Sequence, residues 1–291
     1  MFRRVALAAA AWFLGLGLAG GAAAAPALWV VRDADSEIYL FGTLHALDPA
    51  TRWRTPAYDA ALARASTVWF EADLDTADPR AVARILDRYG VDPERPLSRK
   101  LPAADLQALA RHVDLARIDH LRPWAAALML SMQPMLERGA RVEAGADMTV
   151  TRAARGAAKS VRAFETLEDQ ARLFAGLSEP AEVQYLTDVI RQRAAGPRLS
   201  LRRGAGDLEQ AWAAGDMARL GPALVGGLRA GNPALYEALL QRRNLAWAEQ
   251  LAAEMGGAGV DLVNVGALHM VGEHGLPALL ANRGFTVERV Q

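Results

Sequence analysis

The stretch Tyr39-Leu40-Phe41-Gly42-Thr43-Leu44-His45 decides the fold of this chain, and its counterpart far downstream is Val263-Asn264-Val265-Gly266-Ala267-Leu268-His269. Each is an apolar run, typical of a buried strand, that continues into Gly-x-x-His. A glycine at a strand end lets the backbone turn sharply and lets another group approach closely. The histidine then lies in a loop at the sheet edge, where α/β folds usually place their sites. The repeated pattern predicts one site built around His45 and His269.

Outside these two stretches, strand patterns lie mostly near the two ends of the chain and helical patterns fill the middle. Two apolar runs around a polar turn predict a β-hairpin at the start. The predicted strands are 28–31, 37–41, 67–70, 160–164, 260–265 and 284–290. The predicted helices are 56–65, 79–89, 103–113, 123–135, 146–155, 180–194, 207–214, 232–255 and 276–282, with a further helix capped by Thr166 and an Arg- and Gly-rich loop at 196–206.

This order predicts an α/β fold in which strands from both ends form one central mixed sheet. The helical middle, about residues 78–255, then packs around the sheet within a single domain of residues 26–291. The first 25 residues have the features of a secretory signal peptide: Arg3 and Arg4, an apolar run at 5–18, and small residues at 19–25. We expect a periplasmic or secreted protein with no stable span after cleavage, and an uncleaved membrane anchor is the alternative.

The amino-acid composition excludes several classes of ligand and catalytic group. The 291 residues are 52% hydrophobic and 23% charged, with 33 basic and 33 acidic residues, so a core can form and no basic surface favours nucleic acid. Without cysteine there are no disulfides, thiol nucleophiles, thiolate metal ligands or lipid-anchored cysteine. Catalysis must therefore use histidine, carboxylates, hydroxyls, lysine or arginine. The oligomeric state stays open.

Three charged residues occupy positions that need a partner. Glu71 and Glu165 each follow an apolar strand, where a carboxylate is costly unless it is paired, protonated or bound to a metal. Arg243 falls within the apolar stripe of the predicted helix 232–255, so its guanidinium needs an anion, either one of these glutamates or a bound substrate. Helix capping, surface ion pairs and an arginine reaching solvent are the structural alternatives.

The other histidines are assigned to ordinary roles. His112 and His120 lie in helical or loop surroundings, and we interpret them as surface or core residues. His274 follows His269 closely and could assist it, but the pattern favours a solvated loop residue next to Glu273.

Taken together, these pieces resemble the TraB/GumN family, which is related to the Tiki proteins that cleave Wnt. The resemblance covers about residues 28–290 and depends on motifs that occur in family order. These are 39–45, Glu71, Arg122-Pro123-Trp124, Gly145-Ala146-Asp147, Lys159, Phe164-Glu165-Thr166-Leu167-Glu168-Asp169-Gln170, Arg243-Asn244-Leu245-Ala246-Trp247, and 265–275. Family members often have leucine where this chain has Phe164, which alters packing and not chemistry.

The resemblance implies a single α/β domain whose paired Gly-x-x-His motifs form one site. Tiki-like members are described as metal-dependent proteases, so it also implies a divalent ion at His45 and His269, with Glu71 and Glu165 as acidic members and Arg243 beside them. Imidazole and carboxylate ligands suit Mn, Co, Zn or Fe. The His-Glu-x-x-His helix of zinc proteases is absent from the sequence.

The expected function is metal-dependent hydrolysis of a peptide or similar amide, with Glu71 or Glu165 accepting a proton from water. Arg243 would stabilise the oxyanion or orient that glutamate. Two alternatives remain open at the level of sequence. One is metal-independent ester hydrolysis with histidine as general base. The other is a non-catalytic protein that binds haem, a metal or a peptide.

Overall fold

A computed structural model describes residues 25–73, 78–194 and 205–291. The predicted signal peptide, apart from its last residue, and most of the predicted loop at 196–206 lie outside the described residues. Six strands form one mixed sheet in the order β4-β3-β5-β2-β1-β6. Their bounds are β1 (Leu28–Arg32), β2 (Ser36–Thr43), β3 (Thr67–Phe70), β4 (Ser160–Ala163), β5 (Gly259–Gly266) and β6 (Thr286–Arg289).

Both ends of the chain meet in this sheet, which confirms the predicted α/β architecture. Strands β1 and β2 form the predicted hairpin, and β6 pairs antiparallel with β1 at the edge. Strand β5 lies between β2 and β3 and runs parallel to both. Strand β4 extends the sheet beyond β3, also in parallel. Four parallel strands, β2 to β5, therefore end at the same edge.

Helices surround the sheet and fill the middle of the described chain. They are α1 (Pro56–Arg64), α2 (Pro79–Tyr89), α3 (Leu97–Lys100), α4 (Ala103–Leu109), α5 (Leu115–Ile118), α6 (Pro123–Glu137), α7 (Ala146–Gly156), α8 (Leu167–Ala175), α9 (Glu179–Ala194), α10 (Ala205–Ala213), α11 (Met217–Gly221), α12 (Gly227–Gly231), α13 (Pro233–Tyr236), α14 (Arg242–Glu254) and α15 (Leu276–Asn282). Among the described residues, no helix combines the length and apolar character needed to cross a bilayer.

Both faces of the central parallel strands β2, β3 and β5 are buried, as is usual for parallel strands. Alternate residues of β2 enter different clusters: Tyr39 and Phe41 pack with Tyr58 on one face, and Ile38 and Leu40 pack on the other. A third cluster joins the helices of the middle region, including Leu97, Leu109, Leu130, Leu186 and Ile190. The continuous apolar run 38–41 is thus explained by burial on both sides.

Side-chain capping sets the start of several helices. Thr166 and Asp169 form the predicted capping box at the start of α8. The helix predicted over 103–113 ends instead at Leu109, and α5 begins separately because the Asp114 side chain caps the Ala116 N–H. Asn232 caps the Leu235 N–H, with Pro233 in the first turn, as predicted.

The helix predicted over 232–255 is interrupted by a π turn at Glu237–Gln241. Such a turn fits one extra residue into a helix and rotates everything that follows it. As a result Asn244 and Ala248 are buried, whereas Ala246 is exposed. Arg243 lies in the first turn of α14 and is 8% exposed, which confirms that it faces the core.

Candidate functional site

The two Gly-x-x-His turns meet because β2 and β5 are parallel neighbours in register, with Thr43 opposite Gly266. Glu71 follows β3 on the other side of β5. Glu165 follows β4, and its N–H donates to the Glu71 carbonyl at 2.9 Å. His45, His269, Glu71 and Glu165 therefore emerge from the same sheet edge, where the structure brings these distant parts of the chain together.

Both glycines of the turns are needed for close approach. A Cβ at Gly42 would lie 2.9 Å from the Ala267 Cα, so the first turn can pack against the second only without a side chain. A Cβ at Gly266 would lie 3.0 Å from Oε1 of Glu71 and 3.8 Å from Nε2 of His45. The missing side chain at Gly266 leaves a small space bordered by a carboxylate oxygen and an imidazole nitrogen.

Arg243 is the centre of the buried charges. Its Nη2 donates to Oε2 of Glu71 at 2.7 Å, and its Nε donates to Oε1 of Glu165 at 2.9 Å. Its Nη1 lies 3.2 Å from Nε2 of His269, and the guanidinium stacks over Trp247 at 4.6 Å. The anionic partners predicted for a core-facing arginine are therefore both glutamates. Burial alone would lower the pKa of Arg243, but the charges and hydrogen bonds of Glu71 and Glu165 leave it raised.

His269 is a neutral imidazole held in one tautomer. Asn244 donates its amide N–H to the carbonyls of His269 and His274, so its Oδ1 is left to accept from Nδ1 of His269 at 2.6 Å. Burial first, and then the charge of Arg243, lowers the pKa of His269 to about 3, although Glu71 opposes the change. Its Nε2 therefore carries a lone pair at neutral pH.

His45 is held in the same way by a different partner. Its Nδ1 lies 2.9 Å from Oδ2 of Asp147, and since a carboxylate only accepts, Nδ1 donates. Burial alone would lower the pKa of His45, but the hydrogen bond and charge of Asp147, with the charge of Glu71, raise it to about 9. The side chain is 54% exposed, which weakens the effect of burial and leaves Asp147 as the main cause.

Glu71 is fixed at both oxygens. Oε1 accepts from the Gly266 N–H at 2.6 Å, and Oε2 accepts from Arg243. Burial alone would raise the pKa of Glu71, but nearby charges and the Gly266 N–H lower it. Because His269 is neutral above pH 3, Arg243 and His45 supply that positive charge at neutral pH. Glu71 is thus an ionised carboxylate under ordinary conditions.

A cavity of about 220 Å³ opens next to these groups. Its lining is Thr43, His45, Phe70, Glu71, Ala72, Asp147, Met148, Thr151, Gln170 and Asn264. Arg243 and Glu165 lie behind Glu71, and Glu165 instead borders a second cavity of about 540 Å³ between α8 and the π turn. A ligand in the first cavity can therefore touch His45 and Glu71 directly, while Arg243 acts on it through Glu71.

Three residues near the site were not assigned to it from the sequence. Asp147 and Asn244 orient the two histidines, and the only indication of them in the sequence is that each belongs to a motif of the family resemblance. His274 is partly buried and lies 2.7 Å from the Tyr236 hydroxyl, so its interpretation as a solvated loop residue is wrong. His112 and His120 lie in the helical middle, outside the lining of either cavity.

The family of this chain can be decided by comparison with known sequences. A family model described as the TraB/PrgY/gumN family matches residues 27–289. The chain belongs to the TraB/PrgY/gumN family. The matched range contains both Gly-x-x-His turns, Glu71, Glu165 and Arg243. Searches of curated proteins and of solved structures gave no match.

The donor set can be tested for its fit to a divalent ion. Both imidazoles have Nδ1 bonded to an oxygen acceptor, the arrangement that outer partners usually impose on metal-binding histidines. Glu71 Oε1 lies 3.5 Å from Nε2 of His269, beside the space at Gly266. Within the described ranges, however, no group of three or more His, Asp or Glu side chains stands at metal-binding spacing. His45, His269 and Glu71 fit an ion by chemistry, with Glu71 already bonded to Arg243 and to the Gly266 N–H. Glu165 lies behind Glu71 and borders the second cavity, so it is not part of this donor set.

Proposed function

We propose that this member of the TraB/PrgY/gumN family is a metal-dependent hydrolase that acts on peptide or similar amide bonds. The observation that carries the proposal is the matched anchoring of His45 and His269. Each ring is held through Nδ1, by Asp147 and Asn244, so Nε2 is the nitrogen through which each ring would bind an ion, in place of the Arg243 contact at His269. Two such imidazoles next to an ionised glutamate form a donor set that suits Mn, Co, Zn or Fe.

In this proposal His45 and His269 hold the ion, and Glu71 lies beside it to accept a proton from water. When bound, the ion would polarise the scissile carbonyl and lower the pKa of a water molecule. The chain's own contribution is preorganisation: Arg243 and the Gly266 N–H fix the two oxygens of Glu71, and Glu165 fixes Arg243 in turn. Arg243 is therefore proposed as the residue that orients Glu71, and Glu165 as its support.

The size of the cavity limits the part of a substrate that can enter it. About 220 Å³ accommodates one peptide unit beside His45 and Glu71, with the rest of a substrate outside. Glu71 is the only one of the two glutamates that lines this cavity, so a proton lost by the attacking water is proposed to pass to Glu71. The lowered pKa of Glu71 makes this carboxylate a weak base. It could accept the proton only if the pKa of the attacking water were lowered as well, and a bound ion would supply that effect.

A second candidate is metal-independent ester hydrolysis with His45 as the base. It is favoured by one observation. The Arg243 guanidinium contacts Glu71, Glu165 and His269, so the site already holds a positive charge without an ion. A histidine with a pKa of about 9 is protonated at neutral pH, so this route predicts a rate that rises as the pH approaches 9.

Parallel assays of a peptide mixture and of a simple ester separate these candidates. Protein treated with a chelator would be assayed by mass spectrometry at pH 7 and pH 9, before and after addition of Mn²⁺, Co²⁺ or Zn²⁺, with His45→Ala as the control. We expect cleavage at pH 7 only after an ion is restored, and none with His45→Ala. Ester cleavage that is unaffected by chelation and increases towards pH 9 would instead establish the metal-independent route. Tight binding of a metal or peptide with no turnover would leave the non-catalytic alternative.

We also propose that the protein is exported and acts in the periplasm or outside the cell. The support is the sequence pattern of residues 1–25, which lies almost wholly outside the described part of the structure. N-terminal sequencing of the protein from its own cells should begin close to residues 24–26. A chain that still begins at Met1 and sediments with membranes would establish the uncleaved anchor.

A further inference from the structure

Two buried polar atoms in the cavity beside His45 lack a hydrogen-bond partner among the described residues. They are the hydroxyl oxygen of Thr43 and Oδ1 of Asp147. Thr43 is 1% exposed and Asp147 is 8% exposed, and both line the 220 Å³ cavity. Buried polar atoms in folded proteins nearly always have a partner, so an orphaned pair in the wall of one cavity is explained by a bound ligand or water that supplies the missing bonds.

Thr151 shows that the cavity wall does not in general leave hydroxyls unpaired. It lines the same cavity, but its hydroxyl donates to the backbone carbonyl of Asp147 at 2.8 Å. The other oxygen of Asp147 is likewise occupied, by His45. Only the Thr43 hydroxyl and Asp147 Oδ1 are therefore available to a ligand from these three residues.

The two available atoms differ in what they can bind. Asp147 Oδ1 only accepts, whereas the Thr43 hydroxyl can donate. An anionic group is disfavoured because the Asp147 carboxylate would repel it. A free ammonium group is disfavoured because Asp147 is already paired with the His45 ring, and Arg243 lies behind Glu71 nearby. A neutral group that carries one N–H and one carbonyl matches both atoms.

We propose that Thr43 and Asp147 form a subsite for a secondary amide of the substrate, whose N–H donates to Asp147 Oδ1 and whose carbonyl accepts from the Thr43 hydroxyl. This inference rests on the proposed function and deepens it, because it names the residues that select an amide over an ester. The subsite lies next to Glu71 and His45, so the amide it holds is at or adjacent to the bond that is cleaved.

An equilibrium binding measurement tests the subsite without requiring turnover. The full-length protein would be titrated with N-methylacetamide and with N,N-dimethylacetamide, which lacks the N–H, and both affinities would be obtained by NMR. We expect the wild type to bind N-methylacetamide about fivefold more tightly, the ratio that one net hydrogen bond gives. The ratio should fall to about one in Asp147→Asn, because the amide group of asparagine would place a donor where the acceptor was.

Two further variants make the result specific. Thr43→Val should weaken the binding of both probes, because both carry the carbonyl, whereas Thr151→Val should match the wild type. Equal affinities of the wild type for the two probes, no binding of either, or unchanged binding in Thr43→Val would overturn the proposal and leave water as the occupant. If Thr43→Val does not fold, Asp147→Asn decides alone. Since no cleavage is measured, retained discrimination with no peptidase activity would leave the subsite standing while the proposed function fails.

Discussion

At Arg243 a single guanidinium contacts two carboxylates and an imidazole, all buried or nearly so. The arrangement is stable because each charge has an opposite partner: Glu71 and Glu165 accept from Arg243, and Trp247 covers its face. Breaking such a group leaves uncompensated charge in a low-dielectric interior. The same contacts that hold Glu71 ready for chemistry therefore also contribute to folding.

Replacement of Arg243 should be costly for this reason. We expect Arg243→Met to lower the free energy of unfolding by roughly 3–5 kcal/mol, because two carboxylates lose their shared partner. Arg242→Met is the matched control: Arg242 is exposed and pairs only with the exposed Glu237, so it should change the free energy by less than about 1 kcal/mol. Urea unfolding of both variants measures the difference. Equal effects would show that the buried pairs do not contribute.

The hydrogen bond between His45 and Asp147 should make stability depend on pH. The folded pKa of His45 is raised from 6.5 to about 9, so the folded state holds a proton more tightly than the unfolded chain. That contribution is complete below pH 6.5 and is lost as the pH rises through 9. Asp147→Asn removes its main cause. The stability advantage of wild type over Asp147→Asn should therefore shrink between pH 6.5 and pH 9 in urea unfolding, and parallel pH profiles would contradict this assignment.

At the scale of elements, the two strand-and-turn units determine where the site forms. The Gly266 backbone has φ −50° and ψ 141°, which alanine adopts without strain, so any effect of a Cβ there comes from the space it enters. That space borders Glu71 and His45.

Gly266→Ala should consequently reduce activity more than stability. The added methyl group would press on Glu71 Oε1 and displace the carboxylate that the Gly266 N–H holds. We expect hydrolysis to fall about 100-fold, the cost typical of a misplaced catalytic group. Gly226→Ala is the control, since a Cβ there meets no atom within 4 Å and the backbone is helical. Comparable activity of the two variants would mean that Glu71 is not part of the site.

The sequence predicts regular strands and helix starts better than it predicts an irregularity within a helix. Apolar runs such as 38–41 identify strands because burial on both faces demands them, and the caps at Thr166 and Asn232 identify helix starts. The π turn at Glu237–Gln241 has no glycine or proline to indicate it. It places Arg243 and Asn244 on the same buried side, which is a requirement of tertiary packing and not of local propensity.

The site is predictable to a similar extent. His45, His269, Glu71, Glu165 and Arg243 could be found because each is a polar residue where the pattern demands an apolar one or a strand end. Asp147 could not, because an acid in the first turn of a helix is ordinary. Its bond to His45 depends on how α7 meets the first turn: a Cβ at Gly145 would overlap the His45 carbonyl oxygen, so only glycine allows that approach.

At the scale of the whole molecule, the sheet order makes the site depend on both ends of the chain. Strand β5 separates β2 from β3, so a chain that ends at Gly256 loses the centre of the sheet. We expect it to show no cooperative unfolding, whereas a chain that ends at Gly284 loses only the mostly exposed edge strand β6 and should unfold cooperatively at lower urea. Circular dichroism during urea titration compares the two. A cooperative transition for the shorter chain would contradict the dependence on β5.

The central claim is that two histidines from distant parts of the chain hold one divalent ion. Elemental analysis of the protein, purified after equal exposure to Mn²⁺, Co²⁺ and Zn²⁺, tests it most directly when the wild type is compared with His45→Ala and His269→Ala. We expect about one ion per wild-type chain, a large loss in both variants, and full retention in His112→Ala, which alters a histidine remote from the site. Equal metal content in all four proteins would show that the two histidines do not hold an ion.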